Sequence, residues 1–390
     1  MHFSKRTDWT LTPNPLSQRL AELHQKGAPL LDLTISNPTL CGFKYLHEKL
    51  LKPLLCPQSL VYDPAPHGLL ESRKALCAYY AGKGITVTPE QIFLTANTSE
   101  AYSFVFRLLA DPQDALLAPQ PSYPLLDYLA GLNDITIRRY PLHCAGGWKI
   151  DIETLAGQFY ESNPRAVLVV HPNNPTGNYV NAEEHLMLNQ LCESKETALI
   201  ADEVFYDFNL NEGPVPAGSF AQNKNVLTFT LGGISKTLGL PQMKLSWLIV
   251  SGPAGIQAQA IERLEIISDT YLSASTPVQN ALGPWLELQK GIHAEIRQRI
   301  IENHRSLCKA LRGHPAIQIL DSEGGWNAVL RMPDSLTDED WALHLLEKTR
   351  VVVHPGYLYD FPDGAFVVLS LLPKTEIFKQ GVEQILKGIG

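Results

Sequence analysis

The sequence predicts an α/β fold: a large domain on a mainly parallel sheet covered by helices, and a smaller α+β domain. Three observations predict it. Several short runs are apolar at every position, as in strands buried on both faces. Segments of helical periodicity separate those runs, the pattern of βαβ units. Beyond one long charged helix the chain changes character, and its later strands are shorter and alternating. A chain of 390 residues is also long enough for two or three domains.

The first 50 or so residues hold no complete core of their own, so they are expected to pack on the second domain or on a partner subunit. Residues 91–95 (QIFLT) predict a strand and 99–110 (SEAYSFVFRLLA) a helix with Ser99 near its N-cap. The run 114–120 (DALLAPQ) predicts a short strand, after which PSYPLLDYLAGL turns into a helix. AVLVVHP (166–172) predicts a buried strand, 185–195 a helix and TALIADEVF (197–205) a second buried strand. Two more strands are expected over 226–233 and 245–252. The long charged helix is expected over 287–312, followed by strands at 326–332, 350–356 and 365–372.

Composition excludes several classes. Lys plus Arg number 32 and Asp plus Glu 40, a net charge of −8, with no basic cluster to follow a nucleic acid. No run approaches the roughly 18 apolar residues of a membrane-spanning helix. The opening MHFSKRTDWTLTPNPLSQRL lacks the apolar core of a signal peptide. The cysteines (Cys41, Cys56, Cys77, Cys144, Cys192, Cys308) are scattered without a CxxC pair, which argues against a disulfide framework and a zinc site. The expectation is a soluble cytoplasmic protein, reduced, with room for an enzyme site.

Parallel sheets bind ligands at the C-terminal ends of their strands. Five predicted strands here end in polar or turn-rich segments: TANTSEA (95–101), PQPSYP (119–124), HPNNPTGN (171–178), ADEVFYDF (201–208) and LGGISKTLGLPQMKLSW (231–247). The chain has no GxGxxG, no GxxxxGK[ST], no HExxH and no GxSxG. Asp202 ends an apolar strand, where an unpaired charge is costly, and Glu203 next to it should point to the opposite face.

The ordered set NPTG with Asn174, ADEVF with Asp202 and SKTLGLP with Lys236 resembles the fold type I pyridoxal-phosphate enzymes, and within them the class I/II aminotransferases. The likeness runs from about Asp32 to the C-terminus. It implies a seven-stranded type of sheet and a small domain drawn from both chain ends, with a joining segment at 1–50, a cofactor-binding domain at 51–286 and a C-terminal domain at 287–390. It implies pyridoxal 5′-phosphate as cofactor and Lys236 as the lysine that carries it and shuttles a proton. Asp202 would keep the pyridine nitrogen protonated, Asn174 would donate to the ring oxygen O3′, and Tyr123 would stack on the ring. Thr98 and Ser99, at a helix start suited to anions, would hold the phosphate with Ser235. Tyr62 would reach the phosphate of the neighbouring subunit in a homodimer.

Four positions depart from the family pattern. Lys244 stands where an arginine usually meets the phosphate, so charge is kept and the bidentate fork is lost. Phe205 replaces a tyrosine that donates to O3′, and Tyr206 should face the other way. Ser36 replaces a glycine near the substrate mouth. Val368 replaces the arginine that clamps the substrate carboxylate, and no arginine follows Arg350. Arg331 or a lysine could substitute, or the substrate could be an amine or a modified acid. Trp326, His354 and Tyr357 are further pocket candidates. The expected activity is a ping-pong aminotransferase acting on an amino donor and a keto acid. The alternatives are a β-lyase on the same fold and a non-catalytic protein that holds the cofactor.

Overall fold

The computed structural model describes residues 2–389 except 212, 214 and 216. Fourteen strands run in chain order as β1 (Leu31–Asp32), β2 (Ile92–Thr95), β3 (Ala115–Gln120), β4 (Thr136–Cys144), β5 (Trp148–Ile150), β6 (Ala166–Val170) and β7 (Ala198–Asp202), then β8 (Thr228–Gly233), β9 (Ser246–Ser251), β10 (Gln318–Ile319), β11 (Asn327–Arg331), β12 (Val351–Val352), β13 (His354–Pro355) and β14 (Phe366–Ser370).

The large sheet has the order β2-β9-β8-β7-β6-β3-β4-β5. It is parallel from β8 through β4, while β9 runs antiparallel to both its neighbours. The short β5 adds an eighth strand, antiparallel on the β4 edge. Every residue of β6, β7, β8 and β9 is buried. Successive side chains leave opposite faces. Ala166, Leu168 and Val170 join one core with Tyr102 and Phe106 of the helix Thr98–Leu109. Val167 and Val169 join the other, against Leu155, Phe159 and Leu188 from the helices Ile152–Ser162 and Ala182–Glu193. The unbroken apolar runs in the sequence are the trace of this double burial.

Each expected strand is found in place, several of them stopping earlier, while β1, β4, β5 and β10 had no counterpart among the expected strands. β6 ends at Val170 and β7 at Asp202, because the residues that follow turn away into the site. The 350–356 run is split between β12 and β13, which pair with different partners.

The long helix is the main correction: it spans Thr276–Ala310 rather than 287–312. Pro284 lies inside it. A mid-helix proline normally costs about 3 kcal/mol, which is why periodicity alone starts the helix later. Here Ala281, Leu282 and Trp285 around it are fully buried, and the Trp285 indole donates to the Leu50 carbonyl at 2.9 Å. That packing holds the first turns in place.

The C-terminal region forms a four-stranded sheet, β10-β11-β14-β13, antiparallel throughout. The N-terminal segment packs on it: the helix Pro15–Gln25 buries Leu16 and Leu23 in the same core as Val367 and Leu369, and β1 pairs in parallel with β12, Leu31 opposite Val351. Upstream, Arg6 forms an ion pair with Asp134, Trp9 meets Tyr128 edge-on at 5.6 Å, and Asn14 donates to the Tyr357 hydroxyl at 2.9 Å. Among the described residues no helix is long and apolar enough to cross a membrane, and no cluster of His, Cys, Asp and Glu is grouped to hold a metal ion.

Candidate active site

Thr98, Tyr123, Asn174, Asp202, Ser235 and Lys236 all line one cavity at the ends of β2, β3, β6, β7 and β8, with roughly 580 Å³ of space free of protein atoms. These residues come from segments more than a hundred positions apart, and the parallel sheet brings them together because its strand ends point the same way.

Asp202 occupies the last position of β7, on the face shared by Ala198 and Ile200. Its carboxylate is buried and accepts the Tyr102 hydroxyl at 2.8 Å and the Val204 amide at 3.1 Å. Burial raises its pKa, while Tyr102, Val204 and the Lys236 charge oppose that rise. Glu203 points away, as expected: it accepts Ser219 Oγ and the Phe220 amide at 2.7 Å each, and burial pushes it up to about 7.

Lys236 follows β8 in the short helix Ile234–Thr237. Its amine lies inside the protein, where burial lowers its pKa to about 8 against the opposing pull of Asp202. Two rings approach it, Trp326 with its centroid 4.8 Å from Nζ and Phe205 at 5.1 Å. The Phe205 ring meets Trp326 edge-on at 5.3 Å. Tyr206 takes the other side, beside His171 and Tyr179.

Asn174 accepts the Asn327 amide at 2.7 Å through Oδ1, which leaves its own NH₂ free to donate into the cavity. Asn97 caps the helix Thr98–Leu109 by accepting the Glu100 amide at 2.9 Å. The amides of Thr98 and Ser99, ahead of it in the first turn, have no intrahelical partner and suit an anion. The cap is therefore Asn97, with Ser99 one turn position inside. Burial pushes the Tyr123 hydroxyl up to about 12.

Not every expected residue meets the cavity. Lys244 is exposed, in a left-handed conformation after the turn Pro241–Met243, and is not part of the cavity wall. Tyr62 is 76 % exposed and borders a separate hollow with Ser273, Ser275 and Thr276. Arg331 is paired with Asp334 at 3.6 Å, on the outer end of β11. His354 bonds the Tyr359 hydroxyl at 3.0 Å, and Tyr357 holds Asn14. Ser36 bonds back to the Thr34 carbonyl at 3.3 Å. Val368 is buried among Leu320, Val329, Tyr359 and Phe366. Sequence reasoning missed Tyr102 and Asn327. Tyr102 had a usable signal, since it lies one helical turn inside the 98–109 helix on its apolar face. Asn327 had none, because its partner follows a strand of the other sheet.

A model of the family described as aminotransferase class I and II matches residues 48–368. The glutamate-pyruvate aminotransferase AlaA of Haemophilus influenzae is 26 % identical over 96 % of this chain and 94 % of its own length. An S-alkyl-thiohydroximate lyase of Arabidopsis thaliana is 28 % identical over 76 % of this chain and 65 % of its own. The structure of an alanine aminotransferase from Pyrococcus furiosus superposes with a TM-score of 0.88 at 23 % identity, covering 99 % of both chains. Architecture, strand-end chemistry and family match agree, and the chain belongs to the class I and II aminotransferases, pyridoxal-phosphate-dependent enzymes of fold type I that move an amino group between amino and keto acids.

Proposed function

We propose that Lys236 carries pyridoxal 5′-phosphate, and that the enzyme exchanges amino groups by a ping-pong mechanism on donors held mainly through apolar and hydrogen-bonding contacts. The convergence of Lys236, Asp202 and Asn174 on one cavity carries this reading. The donor set fits the cofactor: a buried carboxylate for a ring nitrogen, a free amide NH₂ for a ring oxygen, an aromatic face at Tyr123, and helix-start amides at Thr98 and Ser99 with the Ser235 hydroxyl for a phosphate. Lys244 keeps a positive charge nearby in sequence, without a place in the cavity wall.

When bound, pyridoxal phosphate supplies an electron-accepting ring that acidifies the Cα proton of an attached amine. Asp202 holds a proton on the ring nitrogen, and its hydrogen bonds to Tyr102 and Val204 keep the carboxylate ionised and aimed. Lys236 Nζ, with its pKa brought down to about 8, is poised to accept the donor's Cα proton and return it, since a base works best near the operating pH. Phe205 and Trp326 close the space around that amine and exclude water. Val170, Val204 and Phe205 give the cavity an apolar side, and Lys236 is its one charged base among the lining residues.

Borohydride reduction of the holoenzyme tests the attachment: the cofactor should be fixed to the peptide containing Lys236, and a label on another lysine overturns it. A steady-state panel of aspartate, glutamate, alanine, phenylalanine and carboxylate-free amines then defines the donor. Elimination is the second reading, favoured by the lyase among the relatives. Pyruvate and ammonia formed from a single substrate, without a keto-acid acceptor, would decide for it.

The active unit we infer is a homodimer in which Tyr62 serves the other subunit's phosphate. Its exposure supports this, as do the exposed Leu55, Leu60 and Val61 just before it. Mixing Lys236→Ala with Tyr62→Ala subunits should restore activity in heterodimers, each of which contains one intact site.

A further inference from the structure

The segment 203–211 leaves β7 and does two jobs. Val204 and Phe205 face the cavity, while Asp207 points to the opposite side, into a half-buried polar cluster. The Asp207 carboxylate accepts the Tyr79 hydroxyl at 2.5 Å, the Lys83 ammonium and the Gln289 amide at 3.2 Å. Lys83 also lies 3.8 Å over the Tyr79 ring.

The long helix Thr276–Ala310 reaches the same segment with one stripe of side chains spaced four apart. Gln289 bonds the Asp207 carboxylate, His293 the Asp207 carbonyl at 3.0 Å, and Arg297 the Asn209 carbonyl at 3.0 Å. Residues four apart lie above one another on a helix face, so this is a seam along the helix. Beyond it, Leu210 donates to the Glu323 carbonyl at 2.8 Å and Gly325 to the Phe208 carbonyl at 2.9 Å, which pins the turn leading into Trp326. Asp207 therefore sits where the helix Leu70–Ala81, the long helix and the Phe205 segment meet.

We propose that Asp207 is a positioning residue for Lys236: by anchoring the segment that carries Phe205 and that, through Phe208 and Leu210, pins the turn before Trp326, it fixes the lysine amine in its closed surroundings and ties that placement to the long helix. This rests on Lys236 being the cofactor lysine. A carboxylate is suited to the task because it accepts from several donors at once. Lys83 compensates its charge, so that neither ion is buried alone. The other ionisable groups facing the cluster are Glu203, Tyr80, Tyr179, Tyr206, His293 and Arg297. Asp202 is the charge facing Lys236 itself.

The test is the pH dependence of Lys236 acylation in the cofactor-free protein, read by peptide mass spectrometry, in Asp207→Asn, Lys83→Met and the double variant. A loosened amine gains water, so its titration midpoint should rise from about 8 toward the ordinary lysine value by about half a pH unit or more. The double variant removes both buried charges together, and thus remains informative if Asp207→Asn does not fold. Midpoints within about 0.2 unit of wild type in the folded variants overturn the proposal. Borohydride trapping on wild type runs alongside. A label away from Lys236 breaks the cofactor assignment, whereas a correct label with unmoved midpoints breaks only the role of Asp207.

Discussion

β7 and β14 are both five-residue strands with every residue buried, and they carry opposite chemistry, β7 at its last position and β14 at its middle one. β7 delivers a carboxylate, Asp202, into a set of waiting donors. β14 delivers Val368 into an apolar cluster, opposite Val329 on one side and His354 on the other. A charge at the end of a buried strand persists only when its partners are built around it. Asp202 has those partners in Tyr102 and the Val204 amide. Around Val368 the neighbours are Leu320, Val329, Tyr359 and Phe366, and Val368 is not among the residues lining the cavity. On the proposed reading, β7 serves the cofactor and substrate binding depends on shape.

The comparison breaks first at Asp202. Asp202→Ala should lower kcat by about 10²–10³-fold, the scale expected when one preorganised electrostatic partner is lost, and a steady-state assay on the reconstituted variant reads it. Tyr102→Phe should have a smaller effect in the same direction. At the other strand, Val368→Arg buries a charge with no partner among Tyr359, Phe366 and Val329. It should cost about 3–5 kcal/mol in denaturant unfolding. If the substituted arginine instead finds the substrate, kcat/KM for α-amino acids should rise about tenfold relative to carboxylate-free amines. A wild-type enzyme that already prefers carboxylate donors at about 10⁴ M⁻¹s⁻¹ or more would show that β14 was never the limiting strand.

The buried amine between the two strands gives a smaller effect with a definite pH sign. Its pKa falls from 10.5 unfolded to about 8 folded, so between those values the unfolded chain binds the extra proton and stability rises with pH. Below about 8 the folded protein carries the cost of a buried charge. Lys236→Met should therefore stabilise the cofactor-free protein by about 1–3 kcal/mol near pH 7, and the gap should close as pH rises toward 10.5. A gap independent of pH would mean the amine is solvated. Smallest of all, Phe205→Tyr places a hydroxyl beside Lys236 and should lower the pH midpoint of the holoenzyme's visible band by about half a unit or more.

What the sequence disclosed followed from local rules. Asn174, Asp202 and Lys236 each follow an apolar run, and strand parity alone sent Glu203 and Tyr206 away from the cavity. The structure places all five accordingly. What stayed hidden depends on contacts between distant segments. Asn327 orients Asn174 across the boundary between the sheets, and nothing near either residue announces the pair. Trp326 was a pocket candidate, but its place over Lys236 comes from the 323–325 turn bonded to Leu210 and Phe208. Lys244 shows the reverse error. Counting from Lys236 selected it, yet a left-handed backbone leaves it outside the cavity wall. The start of the long helix was missed because Pro284 outweighs its neighbours locally, while burial of Trp285 decides the matter globally.

The pairing of β1 with β12 has a consequence for how the protein is made. Leu31 meets Val351, so the first strand to leave the ribosome waits for one of the last. At about 5–20 residues per second, that wait is on the order of half a minute. By its end every strand of the large sheet has emerged, while the helix Pro15–Gln25 still lacks Val367 and Leu369, which share the core of its Leu16 and Leu23. Synthesis thus completes the cofactor cavity's main wall while the other half of the enzyme is still unpaired, and chaperones that shield apolar segments have their natural client in the first twenty-five residues.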